Sequence, residues 1–133
     1  MSGYVGISCT SALACVAVGG LNYPDGRAQV IVTTDGGATW SSSSDPTLAG
    51  LQRLDSVTCL PVPGSLPTCH AAGDTLEGAR PAVVASTDGG ATWSGVETYD
   101  NTDWLDSISC PDVRQCWAAG AGAGMSAAVS TSL

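Results

Sequence analysis

Short stretches of this chain alternate apolar and polar positions at period two, and the stretches return in the same order. Ile7-Ser8-Cys9, Val57-Thr58-Cys59 and Ile108-Ser109-Cys110 each follow a further apolar residue, Tyr4, Leu54 or Leu105. That alternation predicts a strand with one buried face. A second cysteine then leads into Val16-Ala17-Val18-Gly19, His70-Ala71-Ala72-Gly73 or Trp117-Ala118-Ala119-Gly120, each reading as a second strand closed by glycine. A third strand, rich in Val and Ala, is predicted from Ala28 to Thr33, from Pro81 to Ser86 and from Ser126 to Ser130. Ala38-Thr39-Trp40 and Ala91-Thr92-Trp93 are expected to open a fourth. No apolar stripe of helical period persists, and Gly, Ser and Thr interrupt every candidate helix. The predicted fold class is all-β.

The order is an internal repeat. Thr33-Thr34-Asp35-Gly36-Gly37-Ala38-Thr39-Trp40 returns as Ser86-Thr87-Asp88-Gly89-Gly90-Ala91-Thr92-Trp93, collinear with the three cysteine-bearing segments. Four strands in a period of about 50 residues is the pattern of an antiparallel propeller blade. The chain therefore reads as one repeat domain over 1–133, with blade 1 at about 4–48, blade 2 at about 51–98 and an incomplete blade 3 at about 104–133. In the third copy Ser132 stands where Asp35 and Asp88 stand in the others. That copy is expected to lack its turn and its fourth strand.

Thr33-x-Asp35-x-Gly37-x-Thr39-Trp40 and Ser86-x-Asp88-x-Gly90-x-Thr92-Trp93 resemble the Asp-box, or BNR repeat, of propellers in sialidases, sortilin-like receptors and photosystem assembly factors. In that family the motif lies at the periphery, away from catalytic sites. A turn aspartate can accept hydrogen bonds from backbone N–H groups, and the glycines permit the positive φ that such turns often need. The tryptophan supplies buried area to a sheet otherwise built from Val and Ala. Asp35 and Asp88 are thus expected to be structural acids, not catalytic ones.

Six cysteines allow 15 pairings, and the repeat selects one. Cys9–Cys15, Cys59–Cys69 and Cys110–Cys116 each join two successive strands, where side chains sharing a face of a hairpin can meet disulfide geometry. The middle spacer is longer and carries Pro61, Pro63 and Pro67, which reads as a surface loop. The spacings are not those of a zinc knuckle, and His70 is the lone histidine, so no metal or other cofactor is expected. Disulfides imply an oxidising compartment: secreted, cell-surface or periplasmic. No secretory leader precedes Ser2, and the sequence reads as a mature or trimmed chain.

Charge narrows the partners. Twelve acids against four arginines give a net charge of −8, which leaves nothing to neutralise a run of phosphates and argues against nucleic acid. No apolar run is long enough to span a bilayer as a helix. The resemblance to sialidases implies an arginine cluster and a tyrosine nucleophile for activity. Arg27, Arg53, Arg80 and Arg114 recur at no common repeat position beyond a rough match of Arg27 with Arg80. No phosphate-binding glycine loop and no nucleophile–base pair is in view. A pair of carboxylates could serve a glycosidase, but no sequence feature selects one.

Two candidate ligand regions remain. The second strand presents Ala17 and Gly19, Ala71 and Gly73, or Ala118 and Gly120 on one face, read as letting adjacent blades approach. The other face opens with Val16, His70 or Trp117. His70 and Trp117 either fill unequal gaps or reach a shared ligand cleft. The segment Tyr99, Asp100, Asn101, Asp103 and Trp104 joins acids and aromatics in one loop, the make-up of a sugar platform or of packing at a blade junction. Its spacing matches no EF-hand.

The expected function is a non-catalytic extracellular Asp-box module that self-assembles and presents a surface to a glycan or protein. The alternative is a fragment of a larger Asp-box glycosidase whose catalytic residues lie elsewhere. Fewer than three blades cannot close a ring of four to eight, and uncovered faces and edges recruit other chains. Two chains closing a six-bladed ring is the leading assembly, with an open filament as its rival.

Overall fold

The computed structural model describes residues 3–21, 26–100 and 102–122, together with the backbone of 125–132. Its strands form three antiparallel sheets, one per repeat. The first holds β1 (Gly3–Cys9), β2 (Cys15–Gly20), β3 (Ala28–Thr33) and β4 (Ser41–Ser42) in that order. The second holds β5 (Leu51–Val62), β6 (Ser65–Thr75), β7 (Pro81–Ser86) and β8 (Ser94–Thr98), and the third β9 (Trp104–Asp112), β10 (Gln115–Gly122) and β11 (Met125–Ser132). Strands adjacent in sequence are adjacent in each sheet. One turn of 3-10 helix, Pro46–Gly50, links the first sheet to the second, capped by the Asp45 carboxylate on the Thr47 N–H.

All three cysteine pairs are bonded as the repeat requires, with Cα separations of 4.0, 4.0 and 4.1 Å. They tie β1 to β2, β5 to β6 and β9 to β10. The middle spacer is not a loop. β5 and β6 run on beyond their cysteines to a tight turn at Gly64, whose φ is 73°, with Val62 paired to Ser65. Pro61 sits where the register slips between Leu60 and Val62, a place where a missing N–H costs no ladder bond.

The first strand of every sheet carries a bulge. The register shifts between Tyr4 and Gly6, between Leu54 and Ser56, and between Leu105 and Ser107. Each bulge presses a carbonyl onto the glycine of the second strand. A Cβ on Gly19 would lie 1.9 Å from the Gly3 oxygen, on Gly73 2.0 Å from that of Arg53, and on Gly120 1.8 Å from that of Trp104. The glycine is therefore required by its own sheet, not by the approach of a neighbouring one as the alternation suggested.

The fourth strands begin later than expected, after the tryptophans, because Ala-Thr-Trp is held in the turn. The Asp35 carboxylate accepts from the Thr39 N–H (2.9 Å) and hydroxyl (2.5 Å) and from the Thr33 hydroxyl (2.8 Å). The Thr33 hydroxyl in turn accepts from the Gly37 N–H at 2.9 Å. Asp88 repeats this network with Thr92, Ser86 and Gly90. Four glycines of these turns, Gly36, Gly37, Gly89 and Gly90, have positive φ. The bonds from Thr39, then Thr33, hold the Asp35 carboxyl down at about 2. Burial pushes the Asp88 carboxyl up, but its bonds to Thr92 and Ser86 outweigh that and leave it lowered.

The second turn docks on the first sheet. Gly90 is buried, with Val16 and Val32 methyls 3.1–3.3 Å from where its Cβ would stand. Trp93 is buried in the same layer and donates to the Gly90 oxygen at 2.9 Å. Trp40, its counterpart, is 40% exposed, because no described residue covers that side of the first sheet. Asp88→Ala should therefore destabilise by about 1–2 kcal/mol, and Asp35→Ala by less. Urea unfolding of the two variants checks the ranking, and equal midpoints would contradict it.

The core lies between sheets. Val16, Val18, Val30 and Val32 of the first meet Leu54, Val57, Ala71 and Val84 of the second. Ala72 and Val83, on the second sheet's other face, meet Leu105, Ile108 and Ala118 of the third. Hydroxyls stitch the first strands together. Ser8 accepts from the Cys59 N–H at 2.9 Å, Ser56 accepts from the Ile108 N–H at 3.1 Å, and Thr58 donates to the Ile108 oxygen at 3.1 Å.

Candidate functional site

The bulges that set the glycines also set a cluster of charge. Asp55 and Asp106 are the unpaired bulge residues of β5 and β9, at the ends of the hairpins away from the disulfides. Arg53 holds Asp55, its Nε 2.7 Å and its Nη2 2.5 Å from Oδ1. Asp74, paired with Arg53 across the β5–β6 ladder, has a buried Oδ1 with no hydrogen-bond partner. Burial, with the negative charge of Asp55, pushes its carboxyl up to about 6, against the pull of Arg53. The cluster thus joins a carboxylate fixed by an arginine to a carboxyl that titrates near neutrality. Chemically it can exchange a proton in that range. Sequence reasoning missed it, although the shared repeat position of Asp55 and Asp106 was the available signal.

The linkage has a definite sign. A carboxyl whose folded pKa is raised stabilises the fold when protonated, and that contribution is lost as pH rises from about 4 through about 6. His70 works the other way: burial depresses it, so its contribution is present above 6.5 and lost as pH falls. Asp74→Asn removes only the first effect. The variant should gain stability over the parent as pH rises from about 4 to 7, read by urea midpoints at each pH. A gain independent of pH would contradict this reading.

The structure does not bring His70 and Trp117 together. His70 is buried between the second and third sheets, its Nε2 3.2 Å from the Val113 oxygen. Trp117 lies on the far face of the third sheet and is 53% exposed. A shared ligand cleft is therefore ruled out by the sheet between them. One imidazole nitrogen and the sulfurs of Cys110 and Cys116 lie within 4.8 Å of one another, but those sulfurs are bonded together and are not thiolates.

The acidic–aromatic loop is partly satisfied by its own neighbours. Asp100 pairs with Arg80, the Tyr99 hydroxyl donates to Glu97 at 2.9 Å, and the Trp104 indole donates to Asp106 at 2.9 Å. Tyr99 packs against the second core layer, whereas Trp104 and Asp103 are exposed. Asn101 lies outside the described residues. Between the first two sheets a cleft of about 270 Å³, lined by Ser8, Cys15, Val16, Leu66, Pro67 and Gly89 among others, is almost wholly apolar. It offers little to orient a polar ligand.

An apolar face of the first sheet is left uncovered among the described residues. The apolar positions that are buried in the second and third sheets, Leu54, Val57, Leu105 and Ile108, correspond to Tyr4 and Ile7 in the first, which are exposed. No protein-family model matches this chain, and no curated protein matches it either.

Proposed function

We propose that this chain is a non-catalytic, extracellular arc of Asp-box propeller blades that completes itself with a second copy and so presents a binding or structural surface. One observation carries the reading: three sheets of one strand order stack in series, leaving apolar positions uncovered on the first sheet that their counterparts bury. The turn networks of Asp35 and Asp88 are spent on holding the chain, which fits a structural motif. Three disulfides suit an oxidising compartment. The wide surface around Trp104 and Asp103 is where a glycan or protein would be sought.

Light scattering on the purified protein tests the assembly. Twice the 13.2 kDa chain mass supports a closed ring of six sheets, and a large polydisperse mass supports an open filament. A stable monomer contradicts the proposal. The rival reading is a fragment of a larger Asp-box glycosidase whose catalytic residues lie elsewhere. Glycoside hydrolysis by a longer form of the protein, but not by this chain alone, would favour it.

A further inference from the structure

Within the chain, the two seams between successive sheets share a packing feature. The first residue after the second-strand cysteine packs on the disulfide of the following sheet: Val16 lies in one layer with Cys59 and Cys69, and His70 lies beside Cys110 and Cys116. The hydroxyls of Ser8, Ser56 and Thr58 reach backbone groups of the following first strand. At the first seam the second sheet also contributes its turn glycine, Gly90, which rests on Val16 and Val32.

The third sheet carries the outgoing half of this pattern without a taker among the described residues. Trp117 stands at the position of Val16 and His70, and Ser107 and Ser109 stand at those of Ser56 and Thr58; all three are exposed. The first sheet carries the incoming half. Ile7 is 62% exposed, Tyr4 45%, and Cys9, Gly37 and Trp40 are also exposed. Gly37 is the counterpart of the buried Gly90, and the nearest atoms to its Cβ position belong to Trp40 of its own turn, at 3.7 and 3.8 Å.

Resting on the self-assembly reading above, we infer that the outgoing face of the third sheet docks on the incoming face of the first sheet of a second copy, with the Trp117 indole seated between the partner's Cys9–Cys15 disulfide and Gly37. The argument is continuity with two interfaces the chain already makes. Ser107 and Ser109 then meet the β1 backbone of the other copy as Ser56 and Thr58 meet β9. An indole is larger than the valine or imidazole at the same position, and it needs the open side of Gly37. The contact is head-to-tail, so a two-chain ring holds two copies of it. Closure at two requires each sheet to turn by about 60° about the common axis, within the range of propeller rings.

Trp117→Asp and Ile7→Asp break opposite halves of one seam and sit at exposed positions. Each alone should shift sedimentation to the monomer, weakening association by about thirtyfold or more, with circular dichroism and melting temperature of the monomer retained. Mixing the two variants restores one intact seam per pair, so dimer should reappear in the mixture alone. Wild type that associates while both variants keep its mass would overturn this seam and leave self-assembly standing. Dissociation of one variant alone would show a face meeting itself, and dissociation of both without recovery on mixing would show that the two positions do not share a seam; either would overturn it. A monomeric wild type would overturn both and leave the face to some other occupant.

Discussion

Gly73→Ala is expected to destabilise the protein by about 3 kcal/mol or more. Its Cβ would stand 2.0 Å from the Arg53 carbonyl oxygen and 2.8 Å from the Leu54 Cα. Both are backbone atoms, so no side chain can turn aside to make room. Relief requires β5 to give up its bulge, and a one-residue slip would send Leu54 or Val57 to the wrong face. Those residues are 1% and 6% exposed in the central layer. Gly50→Ala is the control, since nothing lies within 4 Å of its Cβ position, and it should change stability by less than about 0.5 kcal/mol. Urea unfolding of the pair checks the contrast. A well-folded Gly73→Ala with an unshifted midpoint would refute the bulge as the reason for the glycine.

Removal of the middle disulfide should have the next largest effect. Cys59→Ala with Cys69→Ala opens a loop of sequence separation 10, against 6 for Cys9–Cys15. Loop closure alone predicts losses of about 2.7 and about 2.3 kcal/mol. Packing widens the gap: Cys59 and Cys69 are buried against Val16, whereas Cys9 is exposed. The double variant at 59 and 69 should therefore melt well below that at 9 and 15. The reverse order would show that the central layer does not depend on those sulfurs.

Much of the fold was legible because the repeat supplies its own controls. The bounds of β3 and β7 were predicted as found, since Val-rich segments there end at a polar turn. The cysteine pairing followed from three collinear copies. What the sequence could not show was the bulge. A bulge adds one residue without changing composition, so the shared position of Asp55 and Asp106 went unread and Gly19, Gly73 and Gly120 looked like a small face. The burial of His70 was equally hidden, because alternation says which side a residue faces but not whether another sheet lies there. For the same reason Trp40 and Trp93 looked alike in sequence, yet only Trp93 has a sheet beneath it.

The measurement that bears most directly on the account is a crystal structure of the assembled protein. It should show two copies related by a two-fold axis, six sheets in series around it, and each Trp117 against the Cys9–Cys15 disulfide of the other copy. Two copies joined edge to edge, with Ile7 and Trp117 still in solvent, would contradict it.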